Sequence, residues 1–140
     1  MPAVSALDHI AIATPDLEQS LAFFRDQLGI ACDHIEDLPE RGIRVAFLPV
    51  GGTRIELVTP LRPGSEVSAF LDKRGGGIHH LAFTSKDVDA DTAALKAAGA
   101  RIAQEPSPGA HGCRVSFVHP KSTGGVLVEL STPPSGQPPL

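Results

Sequence analysis

The chain has 140 residues, a formal net charge of −4 and a hydrophobic fraction of 41%, and its six aromatic residues are all Phe. Such a length holds one ordinary domain or two small modules around an aliphatic core, and its scattered basic residues exclude a nucleic-acid or polyanionic-membrane partner. No apolar run approaches the roughly 20 residues of a membrane span, and "MPAVSALDHI" lacks the basic character of a targeting segment, so a cytoplasmic protein is expected.

In chain order, "LDHIAIATPDL" predicts a strand over about 5–13 and then a helix opened by Thr14-Pro15, because a hydroxyl caps free N–H groups and Pro suits the first turn. Leu17, Leu21, Phe24 and Leu28 follow helical spacing as one apolar stripe, and Gly29 closes the helix. Strands are expected over about 30–36, 42–50 and 53–59, the last two joined at Gly51-Gly52. The linker, about 61–76, reads as a short helix followed by a flexible glycine hinge at Gly75-Gly76-Gly77. A second strand–helix pair follows, a strand over about 77–84 and a helix opened by Ser85 and closed by Gly99. Strands are then expected over about 100–105, 112–119 and 125–131, with Gly124-Gly125 at a hairpin turn. The tail "PPSGQPPL" is Pro-rich and expected to be flexible. Cys32 and Cys113 fit a reducing compartment and no disulfide framework.

The two halves repeat each other. "LDHIAIATPDL" resembles "IHHLAFTSKDV", and "RIELVTP" resembles "VLVELSTP", at a period of about 70 residues. The unit is βαβββ, written twice, which predicts an α+β fold of tandem modules forming an incomplete, cupped mixed β-barrel with helices outside. Each copy places a His in its first strand, His9 and His80, and a Glu in its last, Glu56 and Glu129. Two residues after each His, on the same strand face, stands Ala (Ala11, Ala82), which leaves space beside the imidazole.

A carboxylate inside an apolar strand costs several kcal/mol unless it is compensated. Taken singly, a strand His is more often a hydrogen-bonded core residue, and Glu56 has an obvious ion-pair partner in Arg54. Taken together, two imidazoles and two carboxylates at matched places in two copies form the donor set of a divalent transition-metal site with open positions. Packed side by side, the units would bring the four side chains together, and the metal would compensate both glutamates.

The βαβββ duplication with these His and Glu positions resembles the vicinal oxygen chelate superfamily. Within it, "PERGIRVAFLPVGGTRIELVTPL", "GGGIHHLAF" and "PGAHGCRVSFVHPKSTGGVLVEL" are most similar to the methylmalonyl-CoA epimerase family. The resemblance covers about residues 5–132 within a single domain of 1–134. It implies that His9, Glu56, His80 and Glu129 hold a divalent ion, with cobalt favoured over manganese, nickel or zinc. Some members carry Gln where this chain has Glu56, so this site is one unit more negative. The resemblance also implies that Glu40, in "PERG", is a catalytic base. Glu129 is the candidate for the opposite face. Lys121 on the "HPK" turn and His111 in "GAHG" are candidates for the border of the acyl-CoA entrance. A homodimer is implied as well.

Relatives on the same fold define the alternatives. A glyoxalase-I-type lyase uses the same His/Glu/His/Glu pattern on a glutathione hemithioacetal. A drug-sequestering protein of the bleomycin-resistance type usually lacks the metal residues, and extradiol dioxygenases bind iron with two His and one Glu.

Overall fold

The computed structural model describes residue 2 and residues 4–134, so the Pro-rich tail over 135–140 lies outside the described residues. The chain divides into two compact units, His9–His79 and the described residues on either side of that segment. Each unit is built from one parallel and two antiparallel strand pairings with helical segments, which makes the fold α+β.

The first unit contains most of β1 (Ala6–Ala13), with β2 (His34–Leu38), β3 (Ile43–Val50) and β4 (Thr53–Pro60) in the order β2-β3-β4-β1. β1 runs parallel to β4, with Ala11 opposite Glu56, while β3 is antiparallel to both its neighbours. The β3–β4 hairpin turns at Gly51-Gly52 between the paired Val50 and Thr53, as expected. β2 begins later than its apolar residues suggest. Ile30 and Cys32 instead pack against the cluster of Leu17, Leu21, Leu48 and Leu57.

The helix after β1 departs from the expected pattern at both ends. Its N-cap is Asp16, with an extended backbone and a carboxylate that accepts from Gln19 N at 3.1 Å. Thr14, the expected cap, stands two residues earlier. Its hydroxyl accepts from Asp16 N at 3.2 Å and from Ser20 Oγ at 2.8 Å, and so fixes the turn that presents Asp16. A carboxylate is the better cap because it also meets the positive end of the helix. After one α-helical turn, α1 (Leu17–Leu21), the chain widens into a π-helical segment over Ala22–Gln27, where Leu28 N bonds Phe23 O. The wider turn breaks the 3.6-residue register. Leu17 and Leu21 are buried and Phe24 is half-buried, but Leu28 is rotated out and stands 56% exposed.

The sheet of this unit has two apolar faces. On one, Leu17 and Leu21 cover Ala46, Leu48 and Leu57. On the other, Ala11, Ala13, Val45, Phe47 and Val58 pack with Val67, Phe70 and Leu71 of α2 (Glu66–Arg74). Ser65 caps α2 and Gly75 ends it in the left-handed conformation (φ 75°). Alternation along the strands puts His9 with Ala11 and Glu56 with Val58, on the α2 side.

The second unit repeats the plan with most of β5 (Gly77–Thr84), α3 (Val88–Ala97), β6 (Ile102–Pro108), β7 (Arg114–Val118) and β8 (Leu127–Thr132), its strands ordered β5-β8-β7-β6. β5 is parallel to β8, and Ala82 lies opposite Glu129 just as Ala11 lies opposite Glu56. Asp87 caps α3 by accepting from Ala90 N at 3.0 Å, while Ser85, the expected cap, accepts from Asp87 N and donates to Asp91. Under α3 the buried Thr92 and Ser116 hydroxyls meet at 2.8 Å, so a polar pair in this core is satisfied. Gly124-Gly125 lies not in a two-residue hairpin but in a longer β7–β8 connection that contains a 3₁₀ turn over Pro120–Ser122.

Candidate functional site

Each unit buries one His–Glu pair on neighbouring parallel strands. In the first, His9 Nδ1 lies 3.2 Å from Glu56 Oε2. In the second, His80 Nε2 lies 3.3 Å from Glu129 Oε1. His9, Glu56 and Glu129 are all buried, and His80 is half-buried. The local frame is the same in both. Glu56 has Ala11 opposite on one side and Phe47 on the other, and Glu129 has Ala82 and Phe117. The small Ala leaves room for the imidazole, and the Phe ring forms an apolar wall. The His80 ring meets Phe117 edge-on at 5.7 Å between centroids.

These separations suit metal ligands. With bonds of about 2.1 Å to an ion, two neighbouring ligand atoms stand roughly 3.0 Å apart at a right angle and roughly 3.4 Å apart at the tetrahedral angle. The donor chemistry, imidazole nitrogen with carboxylate oxygen, suits zinc, cobalt, nickel or manganese. By residue type and by spacing the His80–Glu129 pair fits a divalent ion, whereas Glu56, held by Arg54, is not among the residues whose donor atoms gather for one.

The first pair has a charged neighbour on its own strand. Arg54, two residues before Glu56 and on the same strand face, donates its Nε–H to Glu56 Oε2 at 2.7 Å and brings Nη2 within 3.5 Å of His9 Nδ1. The place two residues before Glu129 is taken by Leu127. The ion pair read from the sequence therefore exists, alongside the His contact.

The other predicted residues sit in turns. Glu40 is exposed in the β2–β3 turn, where Arg41 N bonds Leu38 O and Gly42 N bonds Pro39 O. Sequence reasoning missed what holds this turn. Arg62, just past β4, donates Nη1–H to Pro39 O at 2.7 Å and lies against Gly42. Gly42 has φ +69°, and a Cβ there would stand 2.8 Å from the Arg62 guanidinium carbon. His111 is exposed in the 3₁₀ turn over Ala110–Gly112 and adopts the left-handed region (φ 58°), unusual for a residue other than Gly. Lys121 is exposed in the turn over Pro120–Ser122, and its N–H donates to His119 Nδ1 at 3.0 Å. Partial burial, with Arg101 and Lys121 nearby, holds the His119 imidazole below its ordinary pKa of 6.5.

Residues 8–117 match the model of the glyoxalase/bleomycin resistance protein/dioxygenase superfamily, and the chain belongs to that superfamily. Its relatives narrow the class. The chain is 45% identical over 130 residues to the ethylmalonyl-CoA/methylmalonyl-CoA epimerase of Cereibacter sphaeroides, covering 91% of this chain and 97% of that one. It is 43% identical over 126 residues to the human mitochondrial methylmalonyl-CoA epimerase, covering 89% of this chain and 72% of the relative. Among solved structures, a variant of the Streptomyces coelicolor methylmalonyl-CoA epimerase in complex with 2-nitronate-propionyl-CoA is 38% identical. It matches with a TM-score of 0.87 over 95% of this chain and all of that one. The α+β fold of tandem βαβββ modules, and the superfamily that the resemblance implied, are those of this epimerase structure.

Proposed function

We propose that the protein is a metal-dependent epimerase that interconverts (2R)- and (2S)-methylmalonyl-CoA. The observation that carries this reading is the recurrence of one His–Glu pair, in one strand register, in both units of a chain whose relatives are epimerases. His9, Glu56, His80 and Glu129 are the proposed ligands of a single divalent ion, cobalt by preference. When bound, that ion supplies Lewis-acid stabilisation of the negative charge that develops on the thioester oxygen.

The work of the chain's own residues is proton transfer and positioning. The C2 proton lies alpha to two carbonyl groups, so its removal leaves a delocalised enolate. Glu40, as a carboxylate, accepts that proton on one face. Glu129, detached from the ion and protonated, is the proposed partner that returns a proton to the other face; C2 is inverted, Glu40 is left protonated, Glu129 is left as a carboxylate, and exchange with solvent resets both. His111 and Lys121 are the proposed border of the entrance for the anionic CoA arm, Lys121 through its charge. The two units are read as the halves of one domain spanning residues 1–134. A cytoplasmic homodimer completes the proposal, supported by the exposed apolar Phe23 and Leu28. No helix among the described residues is long and apolar enough to cross a membrane.

Proton NMR of methylmalonyl-CoA in D2O tests the reading. The C2 proton signal is expected to disappear with the cobalt-loaded protein, to persist after chelation, and to persist with Glu40→Gln. Persistence with metal demonstrably bound to the parent protein would remove the epimerase reading and direct attention to glutathione hemithioacetals.

A further inference from the structure

We infer that the second unit holds a pocket for a medium-chain carboxylate beneath α3, on the sheet face turned away from Glu129. A cavity of about 300 Å³ opens there, with walls that include Leu95, Val118, Val128 and Leu130, and with the exposed Val4 and Ser122 at its rim. Val128 and Leu130 flank Glu129 along β8, so strand alternation directs them to the side opposite the His80–Glu129 pair. The cavity is therefore a second site rather than an extension of the first.

The duplication explains why the space exists. The same backbone bond follows each helix, from Ile30 N to Phe24 O in the first unit and from Ala100 N to Leu95 O in the second. On the strands, Leu48 and Val118 each follow the Phe that faces the buried Glu, and Ile55 and Val128 each precede that Glu. In the first unit Phe24, Ile30, Leu48 and Ile55 all belong to the apolar cluster between helix and sheet. Their counterparts Leu95, Ala100, Val118 and Val128 are each smaller, and all four line the cavity. Phe83 in place of Ile12 returns part of the lost volume, yet the cavity stays open. Protein interiors leave few voids larger than a water molecule, so an apolar space of this size at matched positions reads as a ligand pocket.

Volume, lining and charge set the ligand. An apolar cavity of about 150 Å³ binds a benzene ring, so this one takes a group of roughly eight to ten carbon atoms. No charged residue is among the described residues that line it. The hydroxyls at the mouth serve the turn there, since Ser122 Oγ accepts from Arg101 N at 2.8 Å and Thr123 Oγ1 is bonded to Val126. The interior thus offers hydrocarbon. The rim offers a cation, because Arg101 directly follows Ala100 of the wall, is tied to Ser122 through its own N–H, and is exposed. A hydrocarbon chain inside with its carboxylate at Arg101 satisfies both features, and the charge stays in water, where it escapes the desolvation cost of burial.

Octanoate is the probe, titrated calorimetrically into the full chain after chelation so that no carboxylate–metal contact contributes. Saturable binding is expected, tightening about fourfold per methylene from butanoate to octanoate. Octanoate should shift the backbone amide signals of Leu95, Ala100, Val118 and Val128 in ¹H–¹⁵N spectra. Ala100→Ile restores the side chain that the first unit carries and should weaken octanoate roughly tenfold, the scale of about two displaced methylenes. Val118→Leu/Val128→Ile fills the same space from the sheet and serves as the second filled variant. Arg101→Gln should weaken octanoate and leave octanol unchanged. Absence of saturable octanoate binding overturns the inference, as does unchanged affinity in a folded filled variant. Should neither filled variant fold, the amide shifts decide, and shifts gathered away from these four residues overturn it. Octanol bound by the parent as tightly as octanoate overturns the assignment of a carboxylate.

Discussion

Two buried glutamates dominate the chemistry at the level of single residues. Glu56 and Glu129 sit in otherwise apolar strands, where an uncompensated carboxylate costs several kcal/mol. Each is met by a His of the neighbouring parallel strand. If His80 is a ligand, His80→Ala should weaken cobalt binding by more than the 10–100-fold that loss of a supporting hydrogen-bond partner typically costs, as read by chelator competition. His119 offers a pH test. Its folded pKa lies below 6.5, held there by partial burial and then by Arg101 and Lys121. A depressed His favours the neutral form, so the unfolded chain binds more protons as pH falls through this range. The stability linked to the neutral form is present above about pH 6.5 and is lost on acidification. Thermal midpoints of the parent and His119→Gln should therefore differ little above pH 7.5 and shift in favour of the variant between pH 7 and 5. A gap that stays constant with pH would contradict this account.

Among the secondary-structure elements, the helix after β1 and the β2–β3 turn are the informative ones. Leu21 is fully buried beneath Leu48 and Leu57, so Leu21→Ala should destabilise the protein by about 2–5 kcal/mol in urea denaturation. Leu28→Ala should cost far less, because the π-helical segment has turned Leu28 into solvent. Equal losses would mean that the apolar stripe continues through Leu28 in solution. Gly42 carries two constraints at once, a left-handed backbone and the Arg62 guanidinium packed where a Cβ would go. Gly42→Ala must strain the turn or displace Arg62 from Pro39 O, at about 1–3 kcal/mol for backbone strain and one lost hydrogen bond. Because this turn carries Glu40, the proposed base, the variant should also lower kcat. None of this was visible in "PERG", since the clamp comes from a residue beyond the next two strands.

For the molecule as a whole, metal and fold should be coupled, because an ion that binds only the native chain stabilises it by mass action. Chelation is expected to lower the thermal midpoint of the purified protein and added cobalt to restore it. An unchanged midpoint would separate the four residues from any structural metal. The sequence by itself was enough to show the duplication, the βαβββ order and both His–Glu pairs, because these rest on strand alternation and on a period written twice in the chain. It also named Arg54 as a partner for Glu56, since the two share a strand face. Tertiary structure alone decided the rest. Asp16 and Asp87 displaced Thr14 and Ser85 as caps because backbone geometry, not residue type, selects the oxygen that reaches the free amides. Arg62 came to hold the Glu40 turn, and Arg54 reached from Glu56 to the His9 ring on the neighbouring strand. Such choices depend on which side chains meet across strands distant in sequence, and a local pattern of residues does not carry that information.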